Sequence, residues 1–410
     1  MIYKEEVLGN YINILSGFAF KTKDFVDVGI PIIKIKNICP PYVSLEDLTY
    51  VSKETGEKQK KFMLSYDDVL IAMTGSHINQ WASVVGRVAR VKYTEKTLLN
   101  QRVGKITVKE NADADLDYIY YFLSQDKVKV QLAAKAGGTA NQANISATHI
   151  QELVFPCPNI ETQIRISNIL KNYDDLIENN KKQIKLLEEA AERLYREWFV
   201  DLHFPGHEDV KIVDGVPEGW KKQKISEFGE IITGKTPSTT KEQYYGGNIP
   251  FVKIPDMHNC VYPIVTESTL TTEGANTQKN KFIPKNGIMV SCIATVGLVN
   301  IAIEPCQTNQ QINSIVLNDE QDLYYTYFTM KRLKALLEGV GSNGATMTNV
   351  NKTKFGNLEV LYPSNNLRKD YFDYCKPIFE KIYALSIGVH KLSQVRDGLL
   401  PKLMSGEIEV

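Results

Sequence analysis

The chain has 410 residues, 43% of them hydrophobic, and its 48 basic residues balance its 48 acidic ones. This length predicts about two to three domains with ample core. The charge balance gives no overall basic field, which argues mildly against a nucleic-acid binder, although a local basic patch or a cationic partner could supply one. The longest apolar run, residues 288–303, is interrupted by polar residues. It predicts two buried strands around a turn and no membrane span.

The six cysteines, at positions 39, 157, 260, 292, 306 and 375, form no CxxC pair. The chain starts with Met-Ile-Tyr-Lys-Glu-Glu, which does not resemble a signal peptide. Together these features indicate a protein of the reducing cytoplasm without a disulfide framework.

In chain order, residues 1–158 and 208–363 read as two copies of one unit. The sequence GIPIIKI at 29–35 matches NIPFVKI at 248–254, VVGRV at 84–88 matches TVGLV at 295–299, and NQRV at 100–103 matches NQQI at 309–312. Strand-like runs at 31–38, 68–73, 83–91 and 104–108 are apolar and β-branched, and are bounded by Gly, Pro and Asn. Each copy is therefore predicted to be a mixed α/β domain with its own loops, which is what a recognition module needs.

Residues 159–207, between the copies, read as a helical spacer that ends in the linker sequence His-Phe-Pro-Gly. Its apolar residues recur at alternating steps of four and three, the heptad spacing of a helix that packs against another helix. Adding 205 to each position gives a second stripe in residues 364–410, interrupted by Arg396. We expect each helix to bury the stripe of the other; the alternative is two unrelated surface helices. The predicted seam comprises Ile166, Leu170, Tyr173, Ile177, Asn180, Ile184, Leu187, Leu194 and Trp198 in the first helix, and Ile378, Ile382, Leu385, Val389, Leu392, Leu399 and Leu403 in the second.

Pro377, and Asn172 at the matching position, predict a break in each helix, because proline suits only the first helical turn. Short helices over residues 161–171 and 366–375 would each precede a long one, the first running from Tyr173 to Asp201. Charged residues between the seam positions, such as Asp174, are expected to be exposed. Asn180 is the one amide on the first seam, where a buried amide would specify register at some expense of stability.

Three tempting catalytic or metal signals fail on their context. Cys39-Pro40-Pro41-Tyr42 resembles the element with which amino-methyltransferases hold their target amine, but a cysteine replaces the essential acceptor and too few residues precede it for a cofactor-binding unit. We interpret it as a loop. The GxGxxG at residues 339–344 follows a helical run instead of a strand. His203 and His207 have metal-like spacing, but they flank a Pro-Gly linker with no cysteine nearby.

Several stretches resemble type I restriction-modification specificity subunits. They are VPEGW at 216–220, GKTPS at 234–238, YGGNIPF at 245–251, SGFAF at 16–20 and the closing RDGLLPKLMSGEI at 396–408. The first copy lacks the Pro-x-Gly-Trp opening, and Tyr245 stands where the family often has tryptophan. The resemblance implies an α+β fold with two target-recognition domains, separated by two long helices that form an antiparallel coiled coil. Its domains would be residues 1–158 and 208–363, with helical spacers at 159–207 and 364–410.

The resemblance also implies a non-catalytic subunit that reads a bipartite site in double-stranded DNA. Two methyltransferase subunits would dock on the helices, and restriction/translocase subunits would join them. No cofactor is expected in this chain, because S-adenosylmethionine and ATP with Mg²⁺ belong to those partners. A cytoplasmic repeat scaffold without DNA specificity is the alternative.

Loops that differ between the two copies are the candidate DNA surface. Asn and Gln amides pair with adenine edges, whereas Lys and backbone amides favour phosphate. Ordinary solvated loops are the alternative for each residue. The candidates are Thr74, Ser76, His77, Asn79, Gln80, Trp81, Gly138, Thr139, Asn141 and Gln142 in the first copy, and Thr236, Ser238, Lys253, Ser342, Asn343, Thr346 and Thr348 in the second.

The length of the helices predicts the spacing of the two half-sites. A helix from Tyr173 to Asp201 would be about 43 Å long, and one turn of B-DNA is about 34 Å. The half-site centres are therefore expected about one helical turn apart.

Overall fold

The computed structural model describes residues 3–139, 142–333, 335 and 349–410. The chain divides into two compact units, Met1–Asp175 with Ser393–Val410, and Leu176–Leu392. Each unit contains a part of both long helices, whereas the sequence repeat assigned those helices to segments of their own. The units are described separately below.

The first unit is built around antiparallel strands. Its strands are β1 (Glu5–Val7), β2 (Ile12–Ser16), β3 (Phe25–Val26), β4 (Ile30–Ile33), β5 (Ile38–Cys39), β6 (Tyr42–Val43), β7 (Thr49–Val51), β8 (Val69–Ala72), β9 (Thr74–Gly75), β10 (Val88–Arg90), β11 (Leu98–Leu99), β12 (Val103–Val108), β13 (Gly137–Thr139), β14 (Gln142–Asn144) and β15 (Val154–Pro156). Its helices are α1 (Lys53–Lys58), α2 (Leu116–Ser124), α3 (Asp126–Lys135), α4 (Ala147–Gln151) and the start of α5 (Ile160–Phe199).

The largest sheet of this unit has the order β2-β12-β8-β10-β6-β5. All four residues of β8 are completely buried, which suits its continuous Val-Leu-Ile-Ala sequence. Beside it lie sheets of order β11-β4-β7-β3 and β13-β14-β9, and the pair β1-β15. The predicted strand over residues 83–91 is shorter than expected, because Gly86 has a left-handed φ of 82° and turns the chain before β10.

The second unit has the same kind of architecture. Its strands are β16 (Ile212–Val213), β17 (Val216–Pro217), β18 (Lys221–Lys224), β19 (Gly229–Thr233), β20 (Tyr245–Val252), β21 (Ser268–Leu270), β22 (Ile288–Ser291), β23 (Val299–Ile301), β24 (Gln307–Thr308), β25 (Ile312–Leu317) and β26 (Glu359–Tyr362). Its helices are α6 (Ile225–Phe228), α7 (Thr272–Asn276), α8 (Leu323–Lys331), α9 (Lys352–Gly356) and most of α10 (Asn365–Ser405). The sheets have the orders β19-β25-β22-β23, β21-β20-β24, β18-β26 and β16-β17.

The apolar run at residues 288–303 forms two strands, as predicted. Strands β22 and β23 are antiparallel, and every residue of both is buried. None of the described helices is both long enough and apolar enough to span a membrane.

The two units repeat the same backbone hydrogen bonds. In the first, the Met73 N–H donates to the Arg102 carbonyl at 2.9 Å; in the second, the Cys292 N–H donates to the Gln311 carbonyl at 2.8 Å. Other matching donor–acceptor pairs are Ile145–Met73 with Val350–Cys292, Gly86–Ala72 with Gly297–Ser291, and Gly17–Val103 with Gly234–Ile312. The internal repeat is therefore a repeat of backbone geometry, and it assigns structurally equivalent positions between the units.

Both long helices are continuous, so the predicted break in each is wrong. Helix α5 runs through Asn172, and α10 runs through Pro377. Proline inside a helix removes one N–H bond and crowds the preceding turn, at a cost of about 3 kcal/mol. On the two sides of Pro377, Cys375 and Phe379 are completely buried. Their packing offsets the local preference of proline.

The two helices run antiparallel and pack along their apolar stripes. In the second unit, the Tyr371 hydroxyl donates to the Ala191 carbonyl at 3.0 Å. One end of this contact region carries Asn180, whose amide nitrogen lies 3.3 Å from where a Cβ on Gly388 would stand. Each of the predicted seam residues is buried or half-buried. The heptad pattern did not identify Phe379, which is also completely buried.

Asp174 corrects the expectation that charged residues between the seam positions are exposed. Its side chain is 12% exposed and lies 2.6 Å from the guanidinium of Arg396. It also accepts a hydrogen bond of 2.7 Å from the Tyr121 hydroxyl. The arginine that interrupts the second stripe is therefore paired inside the first unit.

Candidate nucleic-acid interface

The candidate loop of the first unit projects from the end of the buried strand β8. It passes through β9 and a 3-10 turn at Ile78–Ser83. The Ser76 hydroxyl donates to the Gln80 carbonyl at 2.6 Å and lies 2.9 Å from the Ser83 hydroxyl. Two backbone hydrogen bonds, Ser76 to Ser83 and Val85 to Ser76, close its base. We refer to residues 76–83 as the stapled loop.

The tip of the stapled loop is exposed. Asn79, Gln80 and Trp81 are all exposed, and Ile78 beside them is 55% exposed. The Lys129 ammonium lies 5.0 Å from the centre of the Trp81 ring, a cation–π contact. The tip therefore presents two amides and one aromatic ring on a base that is internally hydrogen-bonded.

The hairpin of β13 and β14 lies beside this loop, because β14 pairs with β9. This pairing brings Gly138, Thr139 and Gln142 to the same edge of the unit. Gly138 has a φ of 133°, and a Cβ there would lie 2.0 Å from the Gln142 carbonyl oxygen, so the hairpin requires glycine. Asn141 lies outside the described residues. Sequence reasoning chose these two loops separately, and the sheet brings them together.

Two of the candidates are buried. Thr74 is 2% exposed and donates to the Asn144 side chain at 2.7 Å, and Ser76 is 6% exposed. Their hydroxyls are hydrogen-bonded inside the unit, so in this conformation they shape the loop and do not face a ligand. His77 is half-buried at the start of the turn.

The candidates of the second unit are partly engaged by neighbouring side chains. The Thr236 hydroxyl donates to Gln310 at 2.7 Å, and the Lys253 ammonium lies 2.8 Å from the Glu267 carboxylate. Ser238 is exposed. Ser342, Asn343, Thr346 and Thr348 lie outside the described residues, as does the GxGxxG at 339–344.

The stapled loop has no counterpart in the second unit. Twelve residues separate Met73 from Gly86, whereas four separate the equivalent Cys292 and Gly297. The first unit therefore carries eight additional residues at this point, which is the length of the loop. The matching segments on either side of the loop are visible in the sequence. A count of the residues between them would have revealed this difference in length.

Three cysteines of the second unit are poor nucleophiles because they are buried. Burial raises the pKa of the Cys260 and Cys306 thiols to about 12, and that of Cys292 to about 11. Because the thiolate is the nucleophile, these protonated cysteines act as packing residues at neutral pH. Cys39-Pro40-Pro41-Tyr42 is the turn between β5 and β6, as predicted.

The described part of the chain contains no group of three or more His, Cys, Asp or Glu side chains placed to hold a metal ion. The Nδ1 of His203 lies 3.1 Å from Glu197, and that of His207 lies 2.9 Å from the Phe204 carbonyl oxygen. Both rings are thus engaged by neighbours in their own segment.

Comparison with known proteins identifies the family. The type I restriction modification DNA specificity domain matches residues 4–189 and 217–382. These two matches cover most of the chain, which therefore belongs to this family and carries two copies of its domain.

Individual relatives agree with this assignment. The chain is 34% identical over 340 residues to the type I restriction enzyme HindI specificity subunit of Haemophilus influenzae, covering 68% of this chain and 73% of the relative. It is 26% identical over 339 residues to the MjaIX specificity subunit of Methanocaldococcus jannaschii, covering 80% and 76%. The fold is similar to the crystal structure of the type I restriction-modification S subunit from M. genitalium, with a TM-score of 0.59, 16% identity and coverage of 98% and 96%.

Proposed function

We propose that this chain reads a bipartite site in double-stranded DNA, one half with each unit, and directs partner subunits to it. Two methyltransferase subunits would dock on the helices, and restriction/translocase subunits would join the complex. S-adenosylmethionine and ATP with Mg²⁺ would be bound by those partners and not by this chain. Family membership supports the role of a specificity subunit.

One observation supports the proposal that each unit reads its own half of the DNA site. The units share a backbone hydrogen-bond frame, yet differ by eight residues at the equivalent point where the stapled loop projects. A scaffold protein that repeats a unit for packing has no need for divergent exposed amides at one edge. A recognition protein does, because base edges are read by side chains on loops while the frame stays constant.

Within the first unit, we propose that Asn79, Gln80 and Trp81, together with the β13–β14 hairpin, contact the DNA. Amide side chains can pair bidentately with adenine in the major groove, and an aromatic ring can contact a thymine methyl group. Thr74 and Ser76 would act by holding the loop. In the second unit, the exposed Ser238 and half-buried Thr236 remain candidates.

A domain exchange tests the function. Residues 1–158 are replaced by the corresponding residues of the Haemophilus influenzae relative, and the methylated sites are mapped in cells that also carry the methyltransferase. We expect one half-site to change and the other to persist. A smaller variant deletes residues 76–83 and joins Gly75 to Val84, as Ala294 joins Thr295 in the second unit. This deletion should weaken recognition of that same half-site and leave recognition of the other half-site unchanged.

Two results would contradict the proposal. Unchanged methylation at both half-sites after the exchange would show that residues 1–158 carry no sequence reading. A complex that assembles normally but methylates DNA without sequence preference would favour the scaffold alternative.

A further inference from the structure

Two arginines lie at the base of the stapled loop, on either side of the end of β8. The Ala72 N–H donates to the Arg87 carbonyl, and the next residue, Met73, donates to the Arg102 carbonyl, both at 2.9 Å. The backbone thus places both arginines at the edge that carries the exposed amides. Neither was among the candidates predicted from the sequence.

Neither arginine has an ion-pair partner among the described residues. Arg87 donates instead to two backbone carbonyls, those of Ala82 at 3.0 Å and Ile35 at 3.3 Å, and its Nε is buried without a partner. By contrast, Arg90 in the same unit lies 2.6 Å from a carboxylate oxygen of Asp117. The base of the loop therefore carries positive charge that no carboxylate among the described residues neutralises.

The two side chains differ in exposure and hence in what they can do. Arg102 is exposed, and among the described residues its guanidinium donates one hydrogen bond, a long one of 3.5 Å to the Asn144 side chain. Arg87 is half-buried, and burial lowers its pKa because desolvation disfavours the cation. An anion bound nearby would offset that loss. Arg87 also holds the stapled loop through the Ala82 carbonyl.

The second unit has no charge at the equivalent positions. The matching hydrogen bonds make Gln311 equivalent to Arg102 and Leu298, which follows Gly297, equivalent to Arg87, which follows Gly86. The pair of arginines is thus part of what distinguishes the first unit, together with the loop it supports. It is a local basic feature in a unit whose residues 1–158 carry nearly balanced charges, 19 basic and 17 acidic.

We propose that the base of the stapled loop is a phosphate-binding site for the DNA backbone, in which Arg102 contacts a phosphate and Arg87 is the positioning residue that holds the loop. This inference rests on the proposed DNA-reading function. The bound phosphate supplies the missing counter-charge and sets the loop at a constant depth over the base edges. The first unit then binds the DNA backbone through a charged contact. The second unit cannot form this contact, because its equivalent residues, Leu298 and Gln311, are uncharged.

The test is the salt dependence of DNA binding by the complex with its methyltransferase, on a duplex that contains the methylated site. Arg102→Gln introduces the residue type that the second unit has at the equivalent position, Gln311. It should reduce the slope of log K against log salt by about 1, because one fewer counterion is released, and it should weaken all sequences alike. Arg87→Leu should also relax discrimination at the first half-site, because the loop loses its tie to Ala82.

Arg165→Gln is the matched control, since Arg165 is exposed in the same unit and forms no ion pair among the described residues. It should leave the slope unchanged. If Arg102→Gln keeps the wild-type slope while the site is still bound preferentially, the phosphate site is wrong and the proposed function stands. If the wild-type complex shows no preference for its site, the proposed function itself fails. Thermal unfolding of each variant verifies that it is folded.

Discussion

At the scale of single residues, the ion pair of Asp174 and Arg396 makes the two units chemically different. The repeat spacing of 205 places Phe379 at the position of Asp174 and Ala191 at that of Arg396, and both are completely buried. The equivalent positions thus hold an ion pair in the first unit and two buried apolar residues in the second. A partly buried ion pair contributes little net stability, but it disfavours arrangements that leave one charge unpaired. We therefore expect it to specify which helix segments pair in the first unit.

Removing one charge of this pair should be costly. Asp174→Asn leaves the guanidinium of Arg396 with only the exposed Asp397 as a partner. We expect the free energy of unfolding to fall by about 1–3 kcal/mol in chemical denaturation followed by circular dichroism. The double variant Asp174→Asn with Arg396→Met should lose less than the sum of the two single variants.

Asp175→Asn is the control for this prediction, because Asp175 is next to Asp174 in the chain and its carboxylate is exposed. It should change stability by no more than about 0.5 kcal/mol. Equal stability of the Asp174 and Asp175 variants would mean that the ion pair does not determine which helix segments pair in the first unit.

At the scale of elements, the length of the antiparallel helices is predicted to set the distance between the two half-sites. Helix α5 has 40 residues and α10 has 41. The two helices face each other at Asn180 and Gly388. The helix has no side chain at Gly388, so the Asn180 amide has room on the seam. That arrangement agrees with a role for Asn180 in register, which stays a prediction.

Lengthening both helices together should lengthen the DNA spacer. Four residues inserted after Asn180 and four after Gly388 add about 6 Å to each helix and keep the two stripes facing each other. We expect the tolerated spacer to grow by about one or two base pairs while both half-sites keep their sequences, as measured by mapping methylated sites.

The matched control is the insertion after Asn180 alone, which shifts one stripe against the other and should lower stability without giving a new spacer. A changed half-site sequence with unchanged spacing in the double insertion would show that the helices do not measure the distance.

At the scale of the whole molecule, the chain carries two copies of the specificity domain, and its described part has no cluster of His, Cys, Asp or Glu placed to hold a metal ion. Its described buried thiols are protonated at neutral pH, and its histidines at 203 and 207 are bonded within their own segment. Reading and chemistry would then reside in different subunits, and loops could change without any effect on catalysis.

We therefore expect the purified chain to transfer no methyl groups to DNA and to hydrolyse no ATP. Methyl transfer should appear when the methyltransferase subunit is added, measured as incorporation from labelled S-adenosylmethionine. The control is the methyltransferase with the variant that lacks residues 76–83, which should still assemble but select its site poorly. Methyl incorporation by the chain alone would refute this prediction.

Much of this architecture could be predicted from residue patterns. The heptad stripes follow a periodicity of 3.5 residues, which local helix geometry imposes on any chain. The two strands within residues 288–303 follow from an apolar run that polar residues interrupt, and the repeat follows from matching segments in the two halves. Family motifs added the antiparallel pairing. The prediction of a helix break at Pro377 was wrong because it considered only the local free-energy cost of proline in a helix. The packing of the buried neighbours outweighs that cost.

The candidate site could be predicted only as a set of loops. The amino-acid pattern shows that loops between the repeats diverge, and that those at 74–81 and 138–142 carry amides. The folded structure was needed to show that Thr74 and Ser76 are buried, that β9 and β14 bring the two loops together, and that Arg87 and Arg102 flank them. Burial and pairing join residues far apart in the chain, as Asp174 meets Arg396, and no local pattern records which distant residues will meet.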